Sequence, residues 1–299
     1  MNVQRIVIAV DFTPGVSRIT AWVLRNLFPG TEPIFVHAIP PHEEDVRPRG
    51  AAAIETAALG AKVRIQELAE WLGIDSPRWS IQQGDAATVI SDAVQEWGAQ
   101  LIVVGPHEHT RWEWLGVNTV EDIVHRTRLP VLVVQGWPSS ALAHATVAVE
   151  HLDRIPRNVS AWMQWLYSRF HTRFHAIHSV SAAIPVSTLA ASVVAESGGE
   201  HTGAGTTSVE IGEAAADALA ACGIPRDAVE LDSDWGDPVH AVIAAAERDR
   251  SDLILVGESH HGRVARVLHG NVTRSIIEGA QRPVLVVPTD EPGIATLHR

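Results

Sequence analysis

Sixteen histidines, ten tryptophans and one cysteine are the side chains here that ligate metals, stack on rings or attack electrophiles. Their spacing decides whether they act together. The sequence contains no Gly-x-Ser-x-Gly elbow, no complete phosphate loop of the G-x-x-x-x-G-K-[ST] type and no zinc signature. His171, His175 and His178 suggest a metal cluster. On a strand, however, His171 and His175 share one face while His178 takes the other, so three ligands do not converge and packed or solvated histidines are expected. His260, His261 and His269 offer an anion or metal site, against the commoner state of surface histidines in a loop. Trp112 and Trp114 suit stacking on a base or anchoring a domain or dimer contact. Asp85 and Asp237 each follow a glycine at a helix start, where capping explains them. Cys222 cannot form an intrachain disulfide, and in its Ala-rich stretch it reads as a buried thiol in a reducing cytoplasm.

The formal net charge of −12 argues against nucleic acid as a partner, because neutralising phosphates needs a basic surface. Small molecules and proteins remain as partners. The apolar start, Val3 to Val10, is interrupted by Arg5 and closed by Asp11, too short to span a bilayer, so no membrane role is expected. A length of 299 residues with 46% hydrophobic content suits two domains, each with its own core.

The elements that must hold these residues come twice. Gly84-Asp85, an Ala/Val-rich helical stretch and Leu101 to Gly105 recur as Gly236-Asp237, a similar stretch and Leu253 to Gly257. The offset is 152 at both ends (236 − 84 and 257 − 105). Pro130-Val131-Leu132-Val133-Val134 recurs as Pro283-Val284-Leu285-Val286-Val287, offset by 153 (283 − 130). Ile6 to Asp11 answers Ala145 to Glu150 at an offset of 139 (145 − 6), so the second half carries an insertion of about a dozen residues. Val/Ile/Leu runs without polar alternation predict strands buried on both faces. Ile54, Ala58, Ala61, Ile65, Leu68 and Leu72 fall on one helical face, as do Ala86, Val89, Ile90, Ala93, Val94 and Trp97. Strands alternating with such helices predict an α/β fold of two tandem doubly wound domains, residues 1–137 and 145–290. Residues 136–145 form the linker, and Glu196 to Ser208 a Gly/Ser/Thr-rich loop within the insertion.

The strand ending in Asp11, the strand ending in His37, the Gly84-Asp85 helix start and the Pro-Val-Leu-Val-Val ending together resemble the universal stress protein family, over nearly the whole chain and twice. The resemblance implies a Rossmann-like, five-stranded parallel sheet in each half. It also implies binding of ATP or another adenine nucleotide by G-x-x-G, nine residues, then G-[ST], after the fourth strand. Glycines there let backbone N–H groups approach phosphates, and the next helix N-terminus favours negative charge.

In the second half Gly257 matches the first glycine and Gly270 the last, thirteen positions on (270 − 257). Gly262 matches a further glycine, while His260 replaces the middle glycine and Asn271 the Ser/Thr. A protonated His260 would pair with phosphate, whereas a neutral one adds bulk. In the first half Gly105 is retained, but Glu108 stands where a phosphate-facing glycine is expected, and a carboxylate there repels a triphosphate. The closing glycine is absent or displaced to Gly116. Asp11 matches the acidic residue that family members place near the adenosine, where the second half has Glu150. His37 and His178 share one strand-end position and read as structural or pocket-lining.

Two readings stand nearly level: a cytoplasmic stress-response protein that binds a nucleotide in its second half and signals by conformation, and an interaction module that binds none. A slow ATP hydrolase ranks third, since no general base is identifiable. Under the first reading the halves form an intramolecular pseudo-dimer, and a homodimer or other homo-oligomer is a further expectation.

Overall fold

Uninterrupted apolar runs make strands of a sheet covered on both faces, and the computed structural model shows this in the packing of Ile6, Val7 and Ile8, none more than 2% exposed. It describes residues 3–40, 51–105, 117–136, 141–149, 155–180, 217, 219–220, 223–258 and 272–289. The contacts divide the chain into two compact units, residues 1–141 with 258–299, and residues 142–257.

The first unit opens with β1 (Arg5–Ala9), α1 (Pro14–Trp22), β2 (Glu32–Ile39), α2 (Ala51–Leu72) and β3 (Arg78–Gln83). It continues with α3 (Ala86–Trp97), β4 (Leu101–Val104), α4 (Val117–Thr127) and β5 (Val131–Val133). The strands lie in the order β3-β2-β1-β4-β5, all parallel. Helix α2 buries Ala61, Ile65 and Leu68, the stripe expected from its periodicity. Helix α3 starts where Asp85 accepts the Thr88 N–H at 3.0 Å, and it buries Ala86, Val89, Ile90, Ala93 and Val94.

The second unit repeats this plan with β6 (His144–Val149), α5 (Arg157–Phe170), β7 (Arg173–Val180), β8 (Val229–Trp235), α6 (Pro238–Arg248) and β9 (Leu253–Glu258). Its order is β8-β7-β6-β9, again all parallel, matching β3-β2-β1-β4 strand for strand. Asp237 caps α6 through the Val239 N–H at 3.0 Å, as Asp85 caps α3. One expectation is corrected. His171 is not on a strand but is the C-cap of α5, at φ +56 with its N–H on the Tyr167 carbonyl, so it shares no strand face with His175. His175 and His178 both lie on β7, an odd number of positions apart and hence on opposite faces.

The helix over residues 272–279, here α7, and β10 (Val284–Pro288) belong to the first unit. Strand β10 pairs antiparallel with β5: Val284 with Val133, Leu285 with Leu132, Val286 with Val131. Given the 153-residue offset (284 − 131), this register is symmetric about Leu132 and Leu285. Gln135 Nε2 donates to the Ile277 carbonyl. At Gly136, with φ +63, a Cβ would overlap the carbonyl oxygen of Gln281, so only glycine fits.

Candidate functional site

An open parallel sheet leaves a crevice where the chain connections diverge to opposite sides, outside the carboxyl ends of the strands. In the first unit that point lies between β1 and β4, and the register of Ile8 with Val103 brings the chain just past β1 beside Gly105. Asp11 and Gly105, 94 positions apart (105 − 11), therefore meet at one edge. The Asp11 carboxylate accepts the Thr13 N–H at 2.9 Å and the Thr13 hydroxyl at 2.8 Å, a local turn that holds it as α1 begins. A Cβ on Gly105 would touch Val16 at 3.6 Å and Ile19 at 3.9 Å, ordinary contacts, so packing does not demand glycine there.

Between these two residues and β2 sits a group that spacing did not reveal. Phe12 adopts φ +64, a region that bulky side chains rarely enter. Its ring lies 4.7 Å from the His37 ring, and the Arg64 guanidinium on α2 stands 4.4 Å from the phenyl centroid. Arg64 also donates to the Phe12 carbonyl at 2.9 Å. His37 donates Nδ1–H to the Val10 carbonyl at 2.8 Å. Burial holds the His37 pKa below its ordinary value and the nearby Arg64 charge adds to this, while the Val10 bond and Asp11 oppose it. The ring that faces Phe12 is thus a neutral imidazole near pH 7. Nothing in the residue types marked Phe12 or Arg64, because their meeting depends on how α2 lies on the sheet.

In the second unit the crevice falls between β6 and β9, where Ala148 pairs with Val256 and half-buried Gly257 follows. His178 donates Nδ1–H to the Val149 carbonyl at 3.3 Å, repeating His37 on Val10. This agrees with the structural or pocket-lining reading of both histidines. Glu150, His260, Gly262, Gly270 and Asn271 lie outside the described residues, as do Glu108, Trp112, Trp114, Gly116, Cys222 and the Glu196–Ser208 loop.

The opposite end of the same sheet holds a cavity of about 480 Å³, lined by His144, Arg173, His175, Glu230, Asp249 and Ser251 among others. His175, with a side chain only 7% exposed, is bonded through Nδ1 to the Asp249 carboxylate. Burial pushes the Asp249 pKa up, but the bonds from His175 and Arg248 outweigh it and hold the carboxyl below its ordinary value. His175 is therefore a packed histidine with a charged partner rather than part of a metal cluster with His171 and His178.

Two doubly wound arrangements with matching strand order define a tandem α/β protein built on open parallel sheets. The Universal stress protein family matches residues 2–135 and 146–288. Universal stress protein A homolog 2 from Coxiella burnetii is 32% identical over 75 residues, 25% of this chain and 51% of that protein, so the match spans about half the relative's length. A universal stress protein structure from Archaeoglobus fulgidus aligns over 97% of this chain and 98% of its own, at TM-score 0.68 and 17% identity. A functionally unknown protein from Pseudomonas aeruginosa PAO1 aligns over 99% and 95%, at TM-score 0.60 and 13% identity. The chain belongs to the universal stress protein family and carries two of its domains in tandem. Among the described residues no helix is long and apolar enough to cross a membrane.

Proposed function

We propose that the protein acts by binding an adenine nucleotide, ATP foremost, in its second repeat and relaying the bound state to a protein partner in the cytoplasm. Gly257, His260, Gly262, Gly270 and Asn271 surround the phosphates in this reading, and Glu150 lies on the adenosine side. The first repeat, with Asp11 and Gly105 at its own crevice, serves as the structural partner in an intramolecular pseudo-dimer. The repeats run over residues 1–137 and 145–290.

The supporting observation is the matching strand order, which puts Gly257 and the chain leaving β6 toward Glu150 at the carboxyl ends of adjacent strands. The reading as an interaction module without nucleotide is favoured by the first repeat, where one Asp11 oxygen already accepts two bonds from Thr13. Mass spectrometry of material released from the denatured protein, with ATP titration of the intact chain, separates the two. One site per chain, lost in Gly270→Trp and kept in Gly105→Trp, is expected. Absence of any adenine nucleotide or ATP binding would leave the interaction module, and loss in Gly105→Trp alone would place the site in the first repeat.

A further inference from the structure

At the amino ends of their strands the two repeats furnish one equivalent place with opposite chemistry. Gln100 Oε1 accepts the Gln4 and Arg5 N–H groups at 2.7 and 3.1 Å, and Asp252 Oδ2, 152 positions on (252 − 100), accepts those of Ala143 and His144 at 2.8 and 3.0 Å. The two edges are built alike. In the first repeat Val7 and Ile34 are register partners, both 0% exposed, Ala99 is buried, and the Arg78 guanidinium lies 4.8 Å from the Trp97 ring centroid. Its charges satisfy one another: Glu32 pairs with Arg78 and stands 3.9 Å from Arg5. The second repeat exchanges each of these apolar groups for a polar one. Thr146 takes the place of Val7 (146 − 7, the 139 offset), and its register partner His175 takes that of Ile34. Asp249, Ser251 and Glu230 stand for Trp97, Ala99 and Arg78 at the 152 offset, and Arg173, the register partner of His144, stands for Glu32.

Polar groups so deeply placed cost stability unless they are bonded, and the innermost ones are: Thr146 and Ser251, 0% and 4% exposed, share a hydrogen bond of 2.8 Å, and His175 is bonded to Asp249. At the place of the indole stands Asp249, whose shorter side chain borders the cavity of about 480 Å³. Two opposite charges line that cavity without meeting. Arg173 donates to the Asp227 carbonyl at 3.2 Å, and Glu230, opposite His175 on β8, has no ion pair among the described residues, whereas the corresponding Glu32 and Arg78 of the first repeat are paired. A simple anion bound there would be repelled by Glu230, and a simple cation by Arg173. A zwitterion satisfies both. Arg173 lies two positions before His175, so it is the diagonal neighbour of Glu230, about 7–8 Å away between Cα atoms, a span that a carboxylate and an ammonium on one carbon bridge.

We propose that this amino-edge cavity of the second repeat binds a free α-amino acid with a polar side chain. Arg173 holds the carboxylate and Glu230 the ammonium group by charge-assisted hydrogen bonds. The ligand's side chain faces the floor of His175, Asp249 and Ser251, where an apolar one would leave buried polar groups without partners. This site lies at the opposite end of the strands from the proposed nucleotide site and does not depend on it.

Isothermal titration calorimetry of the full chain with each standard L-amino acid tests this, with acetate and methylamine as probes that carry only one of the two charges. At least one amino acid with a polar side chain is expected to bind at one site per chain, with Arg173→Gln and Glu230→Gln each weakening it at least about ten-fold. Both residues are exposed, so neither change disturbs the core, and melting curves check that. Glu32→Gln, at the place of Arg173 in the first repeat, should leave the affinity unchanged. Acetate and methylamine should each bind at least about ten-fold more weakly than the amino acid. Binding should persist in Gly270→Trp, so the result is read separately from the nucleotide site. No heat with any amino acid, binding of apolar amino acids only, full affinity in either folded variant, acetate or methylamine binding as tightly, or loss in Gly270→Trp would overturn the proposal.

Discussion

Burial raises the proton affinity of Glu121 on α4, and the charge of Glu258 at the end of β9 raises it further. Asp122 and Glu278 act in the same sense, Arg274 opposes them, and the pKa stands at about 7 against an ordinary 4.5. Glu121 Oε1 is buried with no hydrogen-bond partner among the described residues, while Glu258, 3% exposed, accepts the Thr273 hydroxyl. The folded state therefore holds a proton that the unfolded chain releases at lower pH. The resulting stabilisation is complete below about pH 4.5 and is lost as pH rises through about 7. Melting curves of wild type and Glu121→Gln from pH 5 to 8 should show the wild type losing ground to the variant as pH rises, by on the order of 1 kcal/mol after solvent screening. Parallel curves would mean that Glu121 stays ionised throughout. A second residue-scale expectation concerns Gly105. Since a Cβ there meets only ordinary contacts, Gly105→Ala should leave the denaturant midpoint within about 0.5 kcal/mol of wild type. A larger loss would show that the fold itself needs that glycine.

Helices α3 and α6 begin alike, each with an aspartate that accepts a backbone N–H in its first turn. Asp85→Ala and Asp237→Ala should each cost about 1 kcal/mol in chemical denaturation, the usual worth of an N-cap. A cost near zero in both would show that water replaces the cap without loss. The strand pair β5 and β10 is less forgiving. Gly136→Val would put a branched side chain into a left-handed backbone and against the Gln281 carbonyl, so a loss of about 3 kcal/mol or more is expected, with faster hydrogen exchange along Val131–Val133. Unchanged exchange in a folded Gly136→Val protein would mean that the pairing does not depend on that close approach. The capping aspartates were legible in the sequence because a cap is a local device. The need for glycine at position 136 was not, since the atom it must avoid comes from a residue 145 positions away (281 − 136).

At the scale of the whole molecule, contact and repeat divide the chain differently. The repeat places residues 258–299 with the second half, whereas their contacts join them to the first unit, where β10 covers the edge of β5. A fragment of residues 1–137 would leave Val131–Val133 as an uncovered apolar strand edge, and such edges pair with other chains. Size-exclusion chromatography with light scattering should find that fragment associated or aggregated, and adding β10 as a peptide should reduce the association. A stably monomeric fragment would show that the first repeat closes its own edge.

The sequence by itself determined the tandem α/β plan, because the 152- and 153-residue offsets and the unalternating Val/Ile/Leu runs express burial on both faces of parallel strands, a property of each segment taken alone. It also determined the capping aspartates and the equivalence of His37 with His178, which the two carbonyl bonds bear out. It misplaced His171, because a strand and a helix C-cap differ there by the single left-handed residue that ends α5. Only the tertiary structure decided that Phe12 meets His37 and Arg64, that Glu121 lies near Glu258, and that Gly136 passes under Gln281. Each of these joins residues from separate elements, and their distances are set by how helices pack on the sheet, a geometry that no local spacing encodes.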